Sequence, residues 1–303
     1  MGVAVGSGEH IGAGSLRDRL LPVDWLLLGY LAIVTVVAII RAPRQPSCWW
    51  LLPAHALFVL LVLLLRRANV GPVGRMLGEI YPLLLLVGLY GEIGILNGGG
   101  VPVHDALVQR WEAALFGGQV STEWWRAAPS RFWSAVLHAA YFSYYLIVTV
   151  PAIVFLRRGQ RAEARNFVFA VMVTFVTCYL VFLFFPVAGP YYAFPHPPAW
   201  FIDNPPARLV YATLAAGSSY GAAFPSSHVA AAAAATVAAF RGSRRVGLAL
   251  VVPTLLLMVG VVYCQMHYGV DALAGAAVGL VWGQVTLSSP MKRGTFPHWE
   301  DPS

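Results

Sequence analysis

Eight apolar runs, at about residues 24–40, 49–65, 80–96, 134–156, 167–185, 225–240, 246–266 and 269–287, account for most of this chain. A helix of about 20 apolar residues crosses a bilayer, and it satisfies its own backbone hydrogen bonds while doing so. The expected fold class is therefore all-α, a polytopic transmembrane helical bundle of about eight spans. The first, second and sixth runs are short for that role, and the sixth is almost all alanine. Charged residues make up 11% of the 303, against about 25% in a soluble domain. That excludes a cytosolic enzyme or a nucleic-acid binder and points to membrane lipids as partners. Low charge and high apolar content also exclude disorder.

Cys48, Cys178 and Cys264 lie at or within apolar runs, with the spacing of neither a disulfide framework nor a zinc site. They read as small buried hydrophobes. The Gly-rich N-terminal stretch lacks the apolar core of a cleaved signal peptide, and Gly2 with Ser7 misses the myristoylation spacing.

Arginine asymmetry sets the expected orientation. With both termini cytoplasmic, fourteen Lys and Arg face inward and six face outward, in keeping with the positive-inside rule. The inward set includes Arg157, Arg158, Arg161 and Arg165 in one short loop. Two long segments then face outside. In 97–133, Leu107, Trp111, Ala114 and Leu115 recur at helical spacing, with Asp105, Arg110 and Glu112 off that face, as in a helix lying at the interface. The segment 186–224 is rich in Pro and aromatics and reads as an ordered cap on the bundle.

The outer ends of the sixth and seventh runs hold the residues that point to chemistry. Pro225, Ser226, Ser227 and His228 introduce the sixth, with Pro225 in a first helical turn and the serines beside unsatisfied backbone donors. Such a helix N-terminus can receive an anion. His267 and Asp271 are four residues apart, so in continuing helix they share a face and the carboxylate orients the imidazole. The hairpin between the runs returns His267 to the side and depth of His228. Two histidines, an anion site and an orienting carboxylate suit phosphoryl transfer through histidine, one imidazole attacking phosphorus and the other protonating the departing alkoxide. This chemistry calls for no metal and no cofactor.

PSSH at 225–228 followed by HYGVDALAG at 267–275 resembles the type 2 phosphatidic acid phosphatase superfamily. The resemblance implies a six-helix core, His267 as nucleophile, His228 as proton donor, Asp271 orienting His267, and phosphate contacts from Ser226 and Ser227. It also implies an extracytoplasmic active site in a plasma (inner) membrane. The family's Lys/Arg phosphate clamp is missing: Val261 stands where the second motif has Arg, and the one lysine is Lys292. The inositol phosphorylceramide synthases lack that clamp too, and Phe224 to His228 with Tyr263, His267, Tyr268 and Asp271 is similar to their pattern. LFGG at 115–118, YFSYY at 141–145 and FFPVAGP at 184–190 resemble bacterial proteins of that branch. The replacement phosphate ligands are expected among Arg208, Arg131 and Arg126, with Tyr191, Tyr192, His138 and Tyr268 as further cavity candidates.

The expected organisation is an N-terminal region with two additional spans at 1–79, a catalytic membrane domain at 80–287 and a cytoplasmic tail at 288–303. The implied function is cleavage of a lipid-linked phosphoester by a phosphatase or phosphotransferase. A lipid or polyol hydroxyl is the acceptor in the inositol phosphorylceramide synthase-like alternative. A non-enzymatic transporter or scaffold is the competing class. Gly275, Gly279 and Gly283 read as helix-packing residues. Glu79 and Glu92 either line a polar cavity or face water, and His55 reads as a packed polar residue.

Overall fold

A computed structural model describes residues 19–67, 71–98 and 100–288. The N-terminal stretch read for targeting signals and the tail beyond 288 lie outside the described residues. The described chain is helical, with one isolated parallel β-bridge between Val187 and Ala222.

Each apolar run forms helix. The first gives α1 (Pro22–Arg41), opened by a proline whose missing N–H costs nothing in a first turn. A short 3₁₀ turn at Pro46–Trp50 leads into α2 (Leu51–Leu65), and α3 spans Pro72–Asn97. The fourth run is broken into α6 (Arg131–Phe142) and α7 (Tyr144–Arg157), bent by 41°. The remaining runs form α8 (Arg161–Phe184), α12 (Ser227–Gly242), α13 (Arg244–Tyr263) and α14 (Gly269–Ser288). Among the described residues five helices are long and apolar enough to span a membrane, or six if the bent pair is one span. The chain is thus a membrane protein, but the expected eight spans are not all present by that measure. α12 has only 16 residues, and α14 carries Asp271 and Gln284 among its apolar positions. α12 is buried along most of its length, while α14 packs on it with one face and leaves Leu273, Leu280, Val281 and Val285 exposed.

α12 touches α7, α8, α13 and α14. Its run of alanines, Ala230 to Ala235, is buried throughout, so no side chain keeps the neighbours at a distance. α14 answers with glycines. A Cβ added at Gly275 would meet the Ser226 carbonyl, one at Gly279 the Ala230 carbonyl, and one at Gly283 the Val237 side chain. This is close approach by small residues, which van der Waals packing rewards in lipid.

The long segments 97–133 and 186–224 also contain helices. α4 (Asp105–Phe116) and α5 (Val120–Ala127) lie between α3 and α6. α4 buries Asp105, Val108 and Glu112 and exposes Trp111, Leu115 and Phe116. Its acidic residues thus hold it to the protein, while Trp111, Leu115 and Phe116 stay exposed. The proline-rich cap contains α9 (Pro190–Ala193), α10 (Ala199–Ile202) and α11 (Pro205–Gly217). α11 begins with two prolines in positions that need no N–H, after Asn204 whose side chain accepts from the Ala207 N–H.

Glu79 lines a small cavity beside Leu21 and Phe169, and Glu92 is buried away from water. Glu79 pairs with Arg165, and Glu92 pairs with buried His55 at 2.8 Å, whose other nitrogen meets the Thr35 hydroxyl at 2.7 Å. Asp24 on α1 accepts two hydrogen bonds from Arg66 and one from Tyr81. These buried pairs tie α1 and α2 to α3.

Gly279→Ala should lower the thermal unfolding midpoint in detergent, because a methyl group on the Ala230 carbonyl forces α12 and α14 apart. The expected loss is about 1–3 kcal/mol, the usual cost of overpacking; an unshifted melt would contradict the close contact.

Candidate active site

Helix α12 starts two residues later than the sequence suggests. Ser226 is its N-cap, its hydroxyl accepting from the Val229 N–H at 3.4 Å, and Ser227 is the first helical residue. Pro225 therefore precedes the cap. The Ser226 N–H is also engaged, donating to the Asp271 carbonyl at 2.9 Å. That bond ties the starts of α12 and α14 together.

His267 does not lie in continuing helix. α13 ends at Tyr263, and the N–H groups of Met266 and His267 both turn back to the Val261 carbonyl at 2.9 Å. Gln265 adopts a positive φ of 61° in this break, and α14 begins at Gly269. His267 thus projects from a tight turn between two helices, with Asp271 in the first turn of the second.

The acceptor for the His267 ring is a backbone carbonyl. Nδ1 lies 3.0 Å from the Ala223 oxygen and 3.6 Å from the nearer Asp271 oxygen. Asp271 Oδ2 instead accepts from the Tyr268 N–H at 2.8 Å. Both oxygens near Nδ1 can only accept, so Nδ1 carries the proton and Nε2 keeps its lone pair. This is the tautomer a nucleophilic histidine needs.

His228 faces His267 with ring centroids 5.8 Å apart. Its ring lies against Tyr141 and Tyr144, at 4.9 and 4.6 Å between centroids, and its Nε2 is 3.3 Å from the Tyr141 hydroxyl. Within YFSYY nothing singles out Tyr141; only the fold brings it to His228.

The two histidines line a cleft of about 400 Å³, counting solvent at its mouth, together with Tyr90, Tyr141, Tyr191 and Tyr192. Ser218 and Ser219 line it as well. Tyr192 donates to Ser218 Oγ at 2.8 Å, and Ser219 donates to the Tyr90 carbonyl at 2.7 Å. Among its lining residues there is no lysine or arginine. Tyr90, Ser218 and Ser219 come from α3 and the segment before α12, and no motif marks them.

The other predicted residues are placed elsewhere. Arg208 pairs with Asp203 at the surface, where the guanidinium holds the Asp203 carboxyl below its usual range. Arg131 reaches toward the Asp203 carbonyl at 3.5 Å, while Arg126 lies over the Trp125 ring and donates to the Thr122 carbonyl. None of the three lines the cleft. His138 is buried against the Ser134 carbonyl, 2.8 Å from Nδ1. Tyr268 is buried too, donating to Asp105 and accepting from Gln109, both at 2.9 Å. Of the cavity candidates, Tyr191 and Tyr192 reach the cleft. Among the described residues, no three His, Cys, Asp or Glu side chains converge as a metal site would require.

Glu112 connects α4 to the site by accepting from the N–H groups of Ser121 and Gly269, at 3.0 and 2.8 Å. Gly269 begins α14, where negative charge is favourable. Burial nevertheless raises the Glu112 pKa above its ordinary 4.5, partly offset by these bonds. The folded state therefore holds the proton more tightly than the unfolded chain, and stability falls as pH rises through the folded pKa. Glu112→Gln should flatten the melting temperature against pH between pH 4.5 and that raised pKa; an unaltered slope would mean that another group titrates there.

A family model described as the PAP2 superfamily matches residues 107–283. No curated protein and no solved structure gives a match.

Proposed function

The chain belongs to the PAP2 superfamily, whose members act as phosphatases or phosphotransferases on phosphoesters, and from that premise we propose that it cleaves a lipid-linked phosphoester through a phosphohistidine on His267. The observation that carries this reading is the fixed tautomer. The Ala223 carbonyl accepts a hydrogen bond from Nδ1–H, which leaves the Nε2 lone pair of His267 available beside His228.

In the first step His267 Nε2 bonds to phosphorus as the bond from phosphorus to the leaving oxygen breaks. His228 transfers a proton to that oxygen. In the second, His228 accepts a proton from the incoming hydroxyl, whose oxygen bonds to phosphorus as the phosphorus–nitrogen bond breaks. Water as acceptor makes the protein a phosphatase, and an alcohol makes it a phosphotransferase. Tyr141, bonded to His228 Nε2, orients the imidazole for both transfers. Ser226 and Ser227, at the start of α12, are the proposed phosphate neighbours, and Asp271 supports His267 through its charge at 3.6 Å.

The cleft lining supports the transferase reading on a head-group-bearing substrate. Four tyrosines and two serines offer neutral hydrogen bonds, with no arginine or lysine beside them. Such a lining suits a phosphodiester with one charge better than a monoester with two, because an unpaired charge out of water is costly. This agrees with the resemblance to the bacterial inositol phosphorylceramide synthase-like branch, with a lipid or polyol hydroxyl as acceptor. The arginine asymmetry supports cytoplasmic termini and a cleft on the outer side of the plasma membrane, where the lipid enters laterally.

The test uses purified protein in detergent with lipid phosphates, pyrophosphates and phosphodiester phospholipids, with and without ceramide, diacylglycerol and inositol. Free phosphate and lipid products are followed together by mass spectrometry. His267→Ala and His228→Ala should each abolish turnover while the protein stays folded. Tyr141→Phe should slow it by about 2–10-fold, the worth of one hydrogen bond. Full activity in His267→Ala would end the histidine mechanism. Free phosphate as the sole product would favour the phosphatase, and a new phospholipid without it the transferase.

A further inference from the structure

The carbonyl that sets the His267 tautomer belongs to Ala223, in the non-helical segment between α11 and α12, and such a segment has no hydrogen-bond ladder of its own. Its position comes from two neighbours. The first is the segment between α8 and α9: the Val187 N–H donates to the Gly221 carbonyl at 3.1 Å, and the Ala223 N–H donates to the Val187 carbonyl at 2.9 Å. Both segments turn on glycines at positive φ, Gly189 at 93° and Gly221 at 83°. A Cβ on Gly189 would meet Ala223, and one on Gly221 would meet Asn97.

The second neighbour is α3. Asn97, its last residue, is fully buried, and its Nδ2 donates to the Phe182 carbonyl at 3.0 Å and to the Tyr220 carbonyl at 3.4 Å. Arg41, the last residue of α1, holds Asn97 in turn. One guanidinium nitrogen donates to Asn97 Oδ1 at 3.0 Å and to the Leu96 carbonyl at 2.8 Å, and another reaches the Leu183 carbonyl at 2.9 Å. The carbonyls of Leu96, Phe182 and Leu183 lie at C-terminal helix ends that lack intrahelical donors. One cation and one amide thus join the ends of α1, α3 and α8 to the segment that carries Ala223. On the other flank, Asp105 accepts from the N–H groups of Ala188 and Gly189, at 2.7 and 2.8 Å. Arg41, Asn97 and Asp105 all precede residue 107, where the family match begins.

We propose that Arg41 and Asn97 are positioning residues for His267, acting through Tyr220, Gly221 and Val187 on the Ala223 carbonyl that accepts from its Nδ1. The N-terminal helices are then a working part of the site, although they lie outside the matched core. This inference rests on the proposed role of His267, so its test includes a readout that needs no turnover.

Asn97→Asp keeps the size and the contact to Arg41 but loses the donor to Tyr220. Arg41→Lys retains a cation with fewer donors, and Arg41→Ala removes it. Backbone hydrogen exchange of the full-length protein in detergent, read by mass spectrometry, should accelerate in peptides covering 218–223 for Asn97→Asp and Arg41→Ala. It should stay unchanged in peptides from the middle of α12, with Arg41→Lys between wild type and Arg41→Ala. In the turnover assay the same variants should lose between about 10- and 100-fold in kcat, the scale of a small misplacement of a reacting group, with KM little altered. Exchange that rises equally in α12 would mean general loosening and would overturn the proposal. So would unchanged exchange at 218–223, or a rise in KM at constant kcat. If wild type turns over no substrate while exchange at 218–223 still responds, the catalytic reading of His267 fails and the mechanical link from Arg41 to Ala223 stands.

Discussion

The contact between α12 and α14 determines where everything else in the site can be. Alanines on one helix and glycines on the other bring the backbones together, so that the Ser226 N–H reaches the Asp271 carbonyl at 2.9 Å. Side chains of ordinary size would separate the helices and with them the two histidine-bearing turns. In lipid there is no hydrophobic gain from helix association, so small residues and close van der Waals contact have to provide it. α12 has so little side-chain bulk that α7, α8 and α13 also pack directly on it.

A second layer of order rests on backbone groups that lack partners within their own helix. The turn at 264–268, the segment at 185–189 and the segment at 218–226 all lie near the ends of buried helices, where unpaired carbonyls and N–H groups would be costly. Asp105, Asn97, Arg41 and Glu112 meet them from outside these three segments. The same bonds that satisfy the backbone hold the Ala223 carbonyl against His267. Stability and the orientation of the His267 ring therefore share their interactions.

The cleft combines a well-defined histidine pair with a neutral, hydroxyl-bearing lining. The arginines expected to hold phosphate are occupied elsewhere, Arg208 by Asp203 and Arg126 by the Trp125 ring and a carbonyl of its own helix. Sequence proximity to the motif was a poor guide to them, since a long flexible cation goes to the nearest acceptor. Tyr90 and Tyr141 reach the cleft from helices 138 and 87 residues before His228, and nothing in their local sequence marks that destination.

From the sequence one can read the apolar runs, and with them the helices, because hydrophobic length and backbone satisfaction in lipid leave few alternatives. His228, His267 and Asp271 are legible too, as chemistry-bearing residues at fixed short spacings next to helix ends. The break after Tyr263 was not legible, nor was the choice of Ala223 over Asp271 as the nearest acceptor for His267. The second depends on a carbonyl 44 residues away and on where the loops around it are tied. Local spacing encodes periodicity and helix ends, whereas a hydrogen bond between distant segments exists only once packing has brought them within 3 Å. Sequence thus determined the helices and marked the two histidines and Asp271, and tertiary structure decided which groups orient them and what lines the space between.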